Sequence, residues 1–196
     1  MSDEKRDYVR NPELLSRNES RLLIIDVQEK LVPKIVNLDK MLANCRMLIQ
    51  GARILGVPVF ATEQYPKGLG KLVPQLAELL DKPSDKLRFS CAEVLDWGTA
   101  AEQADNRFQI VVAGMEAHVC VLQTVLDLLG TGFQVYVAAD AVSSRTEFDW
   151  KIALDRMAAD GATIVTTESV LFEWCEVSGT PEFKQISQLI KEREAR

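Results

Sequence analysis

The amino-acid sequence predicts an α/β fold in which a parallel β-sheet carries helices on both of its faces. The first observation is that short apolar runs alternate with longer amphipathic helical patterns along most of the chain. The second is that the first run, residues 22–27, is apolar on both sides of a strand, as in a sheet that is covered on both faces. The chain has 196 residues, which suits one domain with a sizeable core. Such alternation favours right-handed β-α-β connections and therefore parallel strands.

The elements of the first half follow from periodicity and from glycine and proline. The first strand is predicted at residues 22–27, and the carboxylate of Asp26 lies near its end. A long helix follows from Leu38, because apolar residues recur there at intervals of three and four. Gly56 ends this helix, and the Val-Pro pair behind it opens a second strand at residues 57–61. Further helices are predicted near residues 72–80 and 98–105.

The elements of the second half repeat the pattern. An apolar run at residues 110–113 predicts a strand that ends at Gly114. The helix predicted over 118–130 has one apolar stripe, formed by Val119, Leu122, Leu126 and Leu129. Strands at 134–138 and 163–166 enclose a helix at 148–160. The last helix, at 181–193, carries a few apolar residues among charges: Ile186, Leu189 and Ile190.

Charge and hydropathy exclude several classes of partner. The formal net charge is −6 and the sequence pI is about 5.0, which argues against a surface for nucleic acid or anionic membrane. No apolar run approaches the roughly 20 residues of a membrane span. The polar residues 1–20 are expected to form a loosely packed N-terminal arm without the apolar core of a signal peptide. Residues 21–196 are expected to form the single domain.

Cysteine spacing bears on the compartment and on metals. The four cysteines are widely spaced and include no Cys-x-x-Cys pair, so neither a zinc site nor a disulfide scaffold is indicated. The expected compartment is the reducing cytoplasm. Cys45 belongs to the apolar stripe of the first helix and is expected in the core, whereas Cys91 adjoins Lys86 and is expected near the site described next.

Cys120 is the strongest candidate for chemistry. It lies at a strand-to-helix turn, in the first turn of the helix over 118–130. Unpaired N–H groups and the helix dipole favour an anion there, which lowers the pKa of a thiol and makes the thiolate available. The alternative is a small buried hydrophobic residue, as most free cysteines are.

Asp26 and Lys86 are candidates for the groups that activate Cys120. A carboxylate at the carboxyl end of a parallel strand lies at the active edge of an open α/β sheet, and burying it unpaired is costly. Asp26 could instead cap the following turn. Lys86 lies in a polar segment, where a lone lysine is usually solvated surface.

Five ordered motifs resemble the isochorismatase-like family of cysteine hydrolases. They are Asp26-Val-Gln28, Lys86-Leu-Arg-Phe-Ser90, Gly114-Met-Glu-Ala-His-Val-Cys120-Val, Ala138-Ala-Asp-Ala-Val-Ser-Ser-Arg145 and Gly161-Ala-Thr-Ile-Val-Thr-Thr-Glu168. The resemblance covers about residues 19 to 185. The Glu-Ala-His before Cys120, residues 62–70 and residues 181–184 are similar to the isochorismatase domain-containing subgroup.

The resemblance implies a fold and a set of roles. The fold is a Rossmann-like three-layer α/β/α sandwich with six parallel strands, the sixth a short one near residues 86–89. Asp26 would be the base that takes the Cys120 proton, and Lys86 would stabilise the charged pair. Backbone N–H groups of Cys120 and Glu116, with neighbouring Ala117, would receive the oxyanion. A cis peptide bond at Met115–Glu116 is implied as well.

Departures from the family bear on metal and substrate. Relatives of the nicotinamidase type bind a metal through histidines soon after the second strand, but the only histidine here is His118. No metal and no other cofactor are therefore expected. Members that cleave the vinyl ether of isochorismate need an acid but no nucleophile, so the presence of Cys120 favours acyl transfer. The expected activity is hydrolysis of a small amide or related C–N bond, and vinyl-ether hydrolysis or a catalytically idle binding protein are the alternatives.

Other residues are expected around the site. His118 is expected to orient groups or line the pocket, because side chains two apart on a helix do not face each other. Gln28 either contacts site groups by hydrogen bonding or begins the next turn. Three aromatic residues either line a pocket for a small flat substrate or belong to core and rim: Tyr65, Phe89 and Trp97.

The chain is expected to form a homo-oligomer, at least a dimer. Apolar residues of the last helix and of the segment after the last strand would supply the interface: Ile186, Leu189, Ile190, Phe172 and Trp174. Relatives commonly assemble in this way. The alternative is that the C-terminal helix folds back on its own sheet and leaves a monomer.

Overall fold

A computed structural model describes residues 8–194 of the chain, without the side chain of Glu194. Six strands form one sheet: β1 (Ser20–Ile25), β2 (Val59–Gln64), β3 (Ser84–Lys86), β4 (Gln109–Met115), β5 (Gln134–Ser143) and β6 (Thr163–Val165). All neighbouring strands are parallel, in the order β3-β2-β1-β4-β5-β6. The predicted fold class is confirmed; the sixth strand, expected near residues 86–89, lies slightly earlier, at Ser84–Lys86.

Eight helices accompany the sheet in the described residues. They are α1 (Leu38–Leu55), α2 (Pro66–Leu69), α3 (Pro74–Ala77), α4 (Ala92–Leu95), α5 (Leu122–Gly130), α6 (Glu147–Ala159), α7 (Thr167–Cys175) and α8 (Pro181–Glu194). A π-helical turn, Ala117–Val121, precedes α5, and the helix predicted near 98–105 is only a 3-10 turn, Ala100–Glu102.

Side chains of successive strand residues point to opposite faces of the sheet and build two cores. Leu22, Ile24 and Val111 pack on one side with α1, α7 and α8. Leu23, Ile25 and others pack on the opposite side with α4, α5 and α6. Because both faces are covered, β1 and β4 carry continuous apolar runs, residues 22–25 and 110–113, which is why they were recognisable in the sequence.

Helix α7 is the main element that the sequence analysis missed. Its N-cap residue, Thr166, was assigned to the end of the last strand, and the helix itself was not predicted. In the structure Thr166 caps the helix, because its hydroxyl oxygen accepts from the Ser169 N–H while the Ser169 hydroxyl accepts from the Thr166 N–H. This reciprocal cap was present in the sequence as a threonine followed three residues later by a polar residue.

The C-terminal residues proposed for a subunit interface are mostly used by the chain's own fold. Helix α8 packs against α1 and α7, which buries Ile186 and Ile190. The indole N–H of Trp174 donates to the Ser20 hydroxyl at 2.8 Å, and its ring is buried. The expectation that these residues face a second subunit is therefore wrong, because their apolar area is already covered. Of the residues named, Phe172 stays 41% exposed.

The segment before β1 packs more closely than the loose arm that was expected. The guanidinium of Arg10 donates to the carbonyls of Leu15 and Glu173, both at 2.7 Å, and the Leu15 side chain is buried. The part of that expectation that concerns residues 1–7 lies outside the described residues. The division into an arm, 1–20, and a domain, 21–196, stays a prediction.

Candidate active site

The topology brings the predicted residues to one place. From β1 the chain adds β2 and then β3 on one side of the sheet, and from β4 it adds β5 and then β6 on the other side. The boundary between β1 and β4 is therefore a topological switch point. Ligand crevices of open α/β sheets form beyond the carboxyl ends of the strands at such a point. Asp26 directly follows β1, Lys86 is the last residue of β3, and Cys120 follows β4 in the π-helical turn.

Asp26 lies beside both Lys86 and Cys120, and all three residues are buried. The Lys86 ammonium lies 2.6 Å from Asp26 Oδ2, and the Cys120 thiol faces the same carboxylate. Asp26 Oδ1 accepts a hydrogen bond from the Thr62 hydroxyl at 2.8 Å. Asp26 itself has a left-handed backbone conformation, φ 51°, which turns the chain away from β1 immediately after the last strand residue.

Lys86 is held by the protein on several sides. Its ammonium donates to Gln64 Oε1 at 2.7 Å, to the Phe89 carbonyl at 2.8 Å and to the Arg88 carbonyl at 3.3 Å. The interpretation of Lys86 as solvated surface is excluded by this burial. A cation that is desolvated to this extent requires a compensating anion, and Asp26 is that anion.

The thiol of Cys120 is not the low-pKa group that its helix position predicts. Burial raises its pKa above the ordinary value, and the adjacent Asp26 carboxylate raises it further, while Lys86 opposes both. Burial also raises the pKa of Asp26, against the ammonium of Lys86. Desolvation and a neighbouring negative charge therefore outweigh the helix terminus. The arrangement that results is a neutral thiol beside a base, not a free thiolate.

The turn that carries Cys120 depends on a close approach of two strands. At Gly114, φ is 122° and a Cβ atom would stand 2.2 Å from the Ile25 carbonyl oxygen, so only glycine fits beside β1 there. The peptide bond Met115–Glu116 that follows is cis, as the resemblance implied. The Glu116 carbonyl then accepts from the N–H groups of Val119 and Val121, which forms the π-helical turn.

Asp26, Lys86 and Cys120 are called the triad below. The residues proposed around them differ in how they are placed. His118 is partly buried and its Nδ1 lies 3.0 Å from the Ser144 hydroxyl, away from a direct bond to Cys120. The Glu116 carboxylate pairs with the guanidinium of Arg145, so an oxyanion role would fall to its backbone N–H and to that of Ala117. This pair lies at the surface end of the turn, where Arg145 is exposed.

Gln28 is turned into the protein. Its amide N–H groups donate to the carbonyls of Gln64 and Gly70 at 3.0 and 2.7 Å, and its oxygen accepts from the Gln64 N–H at 2.8 Å. Because both amide hydrogens are used and the side chain is buried, Gln28 holds the end of β2 instead of contacting a substrate. Of the two roles expected for Gln28, these bonds fit the first, and they leave no amide hydrogen for a substrate.

The aromatic candidates divide between rim and core. Tyr65 and Phe89 are half exposed and flank Lys86: the Tyr65 N–H donates to the Lys86 carbonyl at 2.8 Å. Trp97 is partly buried against the core, and its ring packs edge-on against Phe60. The guanidinium carbon of Arg21 lies 4.9 Å from the centroid of the same ring. Arg21 is near the amino end of β1, so Trp97 lies toward the end of the strands opposite to Asp26.

Three residues of the site were missed by the sequence analysis, whereas Cys91 was expected near it. Thr62 and Gln64, both in β2, bond Asp26 and Lys86 respectively. Cys91 contacts Thr62, and Thr124 of α5 contacts Cys91 and Cys120. The available signal for the β2 pair was two polar residues at alternate positions after an apolar strand run, which places them on the same side of a strand.

A cavity of about 500 Å³ lies apart from the triad, between the start of α1, the end of β5 and the start of α6, and it is lined among others by Met41, Val142 and Trp150. In residues 8–194 no group of three or more His, Cys, Asp or Glu side chains could hold a metal ion. No helix in the described part of the chain is long and apolar enough to cross a membrane.

Comparison with known proteins gives consistent matches over most of the chain. Residues 20–169 match the family model for the isochorismatase domain. The isochorismatase domain-containing protein 2 of Danio rerio is 39% identical over 176 residues, which is 90% of this chain and 89% of the relative. The structure of the MAR1 ribonuclease of Caenorhabditis elegans is 38% identical with a TM-score of 0.83, and the match covers 90% of this chain and 92% of that one. The Escherichia coli YcaC protein, described as an octameric hydrolase of unknown specificity, is 23% identical with a TM-score of 0.78 over 97% and 99% of the two chains.

Proposed function

The chain belongs to the isochorismatase family of hydrolases, as its motifs predicted, and on this premise we propose that it is a metal-independent cysteine hydrolase of small amides or related C–N bonds. The observation that carries the proposal is the buried contact of a carboxylate, an ammonium and a thiol at the switch point of the sheet. Nucleophile, base and cation are the three groups that thiol-dependent acyl transfer needs.

The first half of the proposed reaction forms a thioester. As the Cys120 sulfur bonds to the substrate carbonyl carbon, its proton passes to the Asp26 carboxylate and an electron pair moves to the carbonyl oxygen. N–H groups of Glu116, Ala117 and Cys120 are proposed to receive that oxyanion. Protonated Asp26 then gives its proton to the leaving nitrogen, the C–N bond breaks, and an amine or ammonia departs.

The second half restores the enzyme. Asp26, again ionised, takes a proton from water as the water oxygen bonds to the thioester carbon. The C–S bond breaks, the acid product forms, and Asp26 returns the proton to the Cys120 sulfur. Throughout the cycle Lys86 would compensate the negative charge that moves between the carboxylate and the sulfur. The raised pKa of Asp26 suits a group that is alternately base and acid.

The surroundings of the thiol support a small substrate. The Cys120 residue is only 4% exposed, so a large chain would not reach its sulfur. Tyr65 and Phe89 flank Lys86 at the rim, and His118 lies on the same turn as Cys120. We propose that these three side chains line the entrance for a small flat amide.

The activity is tested with a panel of small amides and with isochorismate, all in the presence of a chelator. We expect ammonia release from at least one amide, at a rate that chelation does not lower. Pyruvate release from isochorismate without any amide turnover would favour the vinyl-ether alternative. Loss of activity on chelation that zinc restores would contradict metal independence, and turnover of neither class would favour the idle binding protein.

RNA cleavage is a second candidate, because the similar Caenorhabditis elegans protein is described as a ribonuclease. The net charge of −6 opposes it, since RNA binding needs clustered cations. The burial of Cys120 opposes it as well, because a phosphodiester in a strand would need access to the catalytic groups. Incubation of a labelled RNA with the protein and with Cys120→Ala would reveal a cleavage that depends on the same site.

We also propose that the chain forms a homo-oligomer in the cytoplasm. The octameric assembly described for the Escherichia coli YcaC protein supports the first part. The exposed residues Phe148 and Ile152, one helical turn apart on α6, offer an apolar surface of the kind that subunits cover. All four cysteines are free, which suits a reducing compartment.

Light scattering is expected to give at least twice the 21.9 kDa of one chain, and Phe148→Asp is expected to lower that mass. Leu87→Asp is a matched control, because Leu87 is also an exposed apolar residue but lies elsewhere, beside Lys86. A mass near that of one chain, unchanged by concentration, would contradict the assembly.

A further inference from the structure

Cys91 is a buried thiol beside the triad that the proposed reaction does not use. It precedes α4 and is shielded from solvent. Its thiol and its backbone N–H both meet threonine hydroxyls: its sulfur lies 3.3 Å from Thr62 Oγ1, and its backbone N–H donates to Thr124 Oγ1 at 3.0 Å. Thr62 in turn contacts Asp26, and Thr124 contacts Cys120. Cys91 therefore stands between the base and the nucleophile.

The direction of the bonds on the Asp26 side can be deduced. A threonine hydroxyl has one hydrogen, and an ionised carboxylate only accepts hydrogen bonds. The Thr62 hydrogen must therefore point to Asp26 Oδ1, which lies 2.8 Å away. The oxygen of Thr62 is then left as an acceptor, so the Cys91 thiol is the donor in their contact.

The hydrogen bonds on the Cys120 side have donor and acceptor roles of the same kind. The Thr124 hydroxyl donates to the Cys120 carbonyl at 2.7 Å, and its oxygen accepts from the Cys91 N–H. Both hydroxyls thus receive a hydrogen from Cys91 and pass one to a member of the triad. Each of the two threonines is buried, so water does not compete for these bonds.

From this geometry we infer that Cys91 is a positioning residue, which through Thr62 and Thr124 fixes the base and the nucleophile relative to each other. The inference rests on the proposed function of Asp26 and Cys120. Burial raises the pKa of Cys91 to about 11, and the charge of Asp26 adds to this, so the thiol keeps its hydrogen at neutral pH. Because the Cys91 thiol stays protonated near neutral pH, its hydrogen bond to Thr62 does not change with pH there.

Thr62 has a second consequence for Asp26. Its hydrogen bond favours the ionised carboxylate and so lowers the pKa of Asp26, against the effect of burial. The titratable groups that face Asp26 are Lys86 from β3, Cys120 from the π-helical turn and Cys91 from the segment before α4. Because Oδ1 is engaged by Thr62, Oδ2 is the oxygen left for Lys86.

The experiment measures the rate at which iodoacetamide alkylates Cys120 as a function of pH, with each cysteine resolved by mass spectrometry. This readout requires no substrate. In the native protein the rate should rise as Asp26 ionises and becomes able to accept the thiol proton. In Thr62→Val the midpoint of that rise should move up by about one pH unit, since a hydrogen bond to a charged group is lost. Thr62→Ser should restore the native midpoint.

The effect of Cys91 is tested in the same way. Cys91→Ala should move the midpoint in the same direction by a smaller amount, because Thr62 loses its donor but keeps its bond to Asp26. Thr167→Val is the matched control: Thr167 is also buried, and its hydroxyl also donates to an aspartate oxygen, Asp140 Oδ1, at 2.9 Å, but outside the triad. Its profile should equal that of the native protein.

An unchanged midpoint in Thr62→Val or in Cys91→Ala would overturn the inference. If Thr62→Val does not fold, Cys91→Ala decides alone, since it removes a single sulfur atom. Asp26→Asn separates this failure from a failure of the proposed function. A native profile that Asp26→Asn leaves unchanged would mean that Asp26 is not the base for Cys120.

Discussion

An alanine in place of Cys120 is expected to lower the turnover number on an amide substrate by at least about a thousandfold, because no other group can form the thioester. Cys120 is buried in the core on the α5 side, and the change removes only its sulfur atom. We therefore expect the free energy of unfolding to change by no more than about 1 kcal/mol. Steady-state kinetics and urea unfolding of the same preparation measure the two quantities.

Cys175→Ala is the matched control for this loss. Cys175 is also a buried free cysteine, but it ends α7, and its sulfur contacts only the Val177 carbonyl among the hydrogen-bonding groups of the described residues. Its alanine variant should keep native kinetics. Amide hydrolysis that survives in Cys120→Ala would contradict covalent catalysis, whereas pyruvate release that survives would indicate that the ether alternative needs only Asp26.

Much of the fold was predictable because the sheet is covered on both faces. Each inner strand then contains a short apolar run, and Gly56 and Gly114 mark where such runs begin or end. The short strand β3 was not predictable from composition, since Ser84–Lys86 is polar and pairs only along one edge, with β2. Only the resemblance to a family indicated it.

The residues of the candidate site were likewise predictable only in part. Asp26, Lys86 and Cys120 were predictable because each belongs to a motif at a strand end. Thr62 and Thr124 were not, because a hydroxyl in a strand or helix gives no local sign of the partner it meets through the fold. The pKa of Cys120 was predicted in the wrong direction for a related reason: the helix terminus is visible in the sequence, whereas burial and the facing carboxylate come from distant segments.

Methionine in place of Lys86 is expected to cost both activity and stability. Met keeps most of the side-chain length but removes the ammonium that lies 2.6 Å from Asp26 Oδ2. Breaking one partner of a buried ion pair typically costs about 3–5 kcal/mol, and we expect a loss of that size near neutral pH. Lys151→Met removes the exposed pair with Asp155 and should change the free energy of unfolding by less than about 0.5 kcal/mol.

The loss in Lys86→Met should depend on pH with a defined sign. Without the ammonium, burial holds the pKa of Asp26 further above its value in the unfolded chain, roughly 3.9. The folded state then binds the proton more tightly than the unfolded state does. Stability is therefore retained below the unfolded pKa and falls as pH rises through the folded one. Denaturant unfolding at several pH values measures this slope against that of the native protein.

The double variant Asp26→Asn with Lys86→Met separates charge from packing. Asparagine carries no charge at any of these pH values, so the pH-dependent part of the loss should disappear and part of the stability should return. Catalysis should not return, because the base is absent. A loss in Lys86→Met that is equal at all pH values would mean that the ammonium serves Gln64 and the Phe89 carbonyl instead of Asp26. The ion pair would then be a consequence of the fold and not the support of a catalytic base.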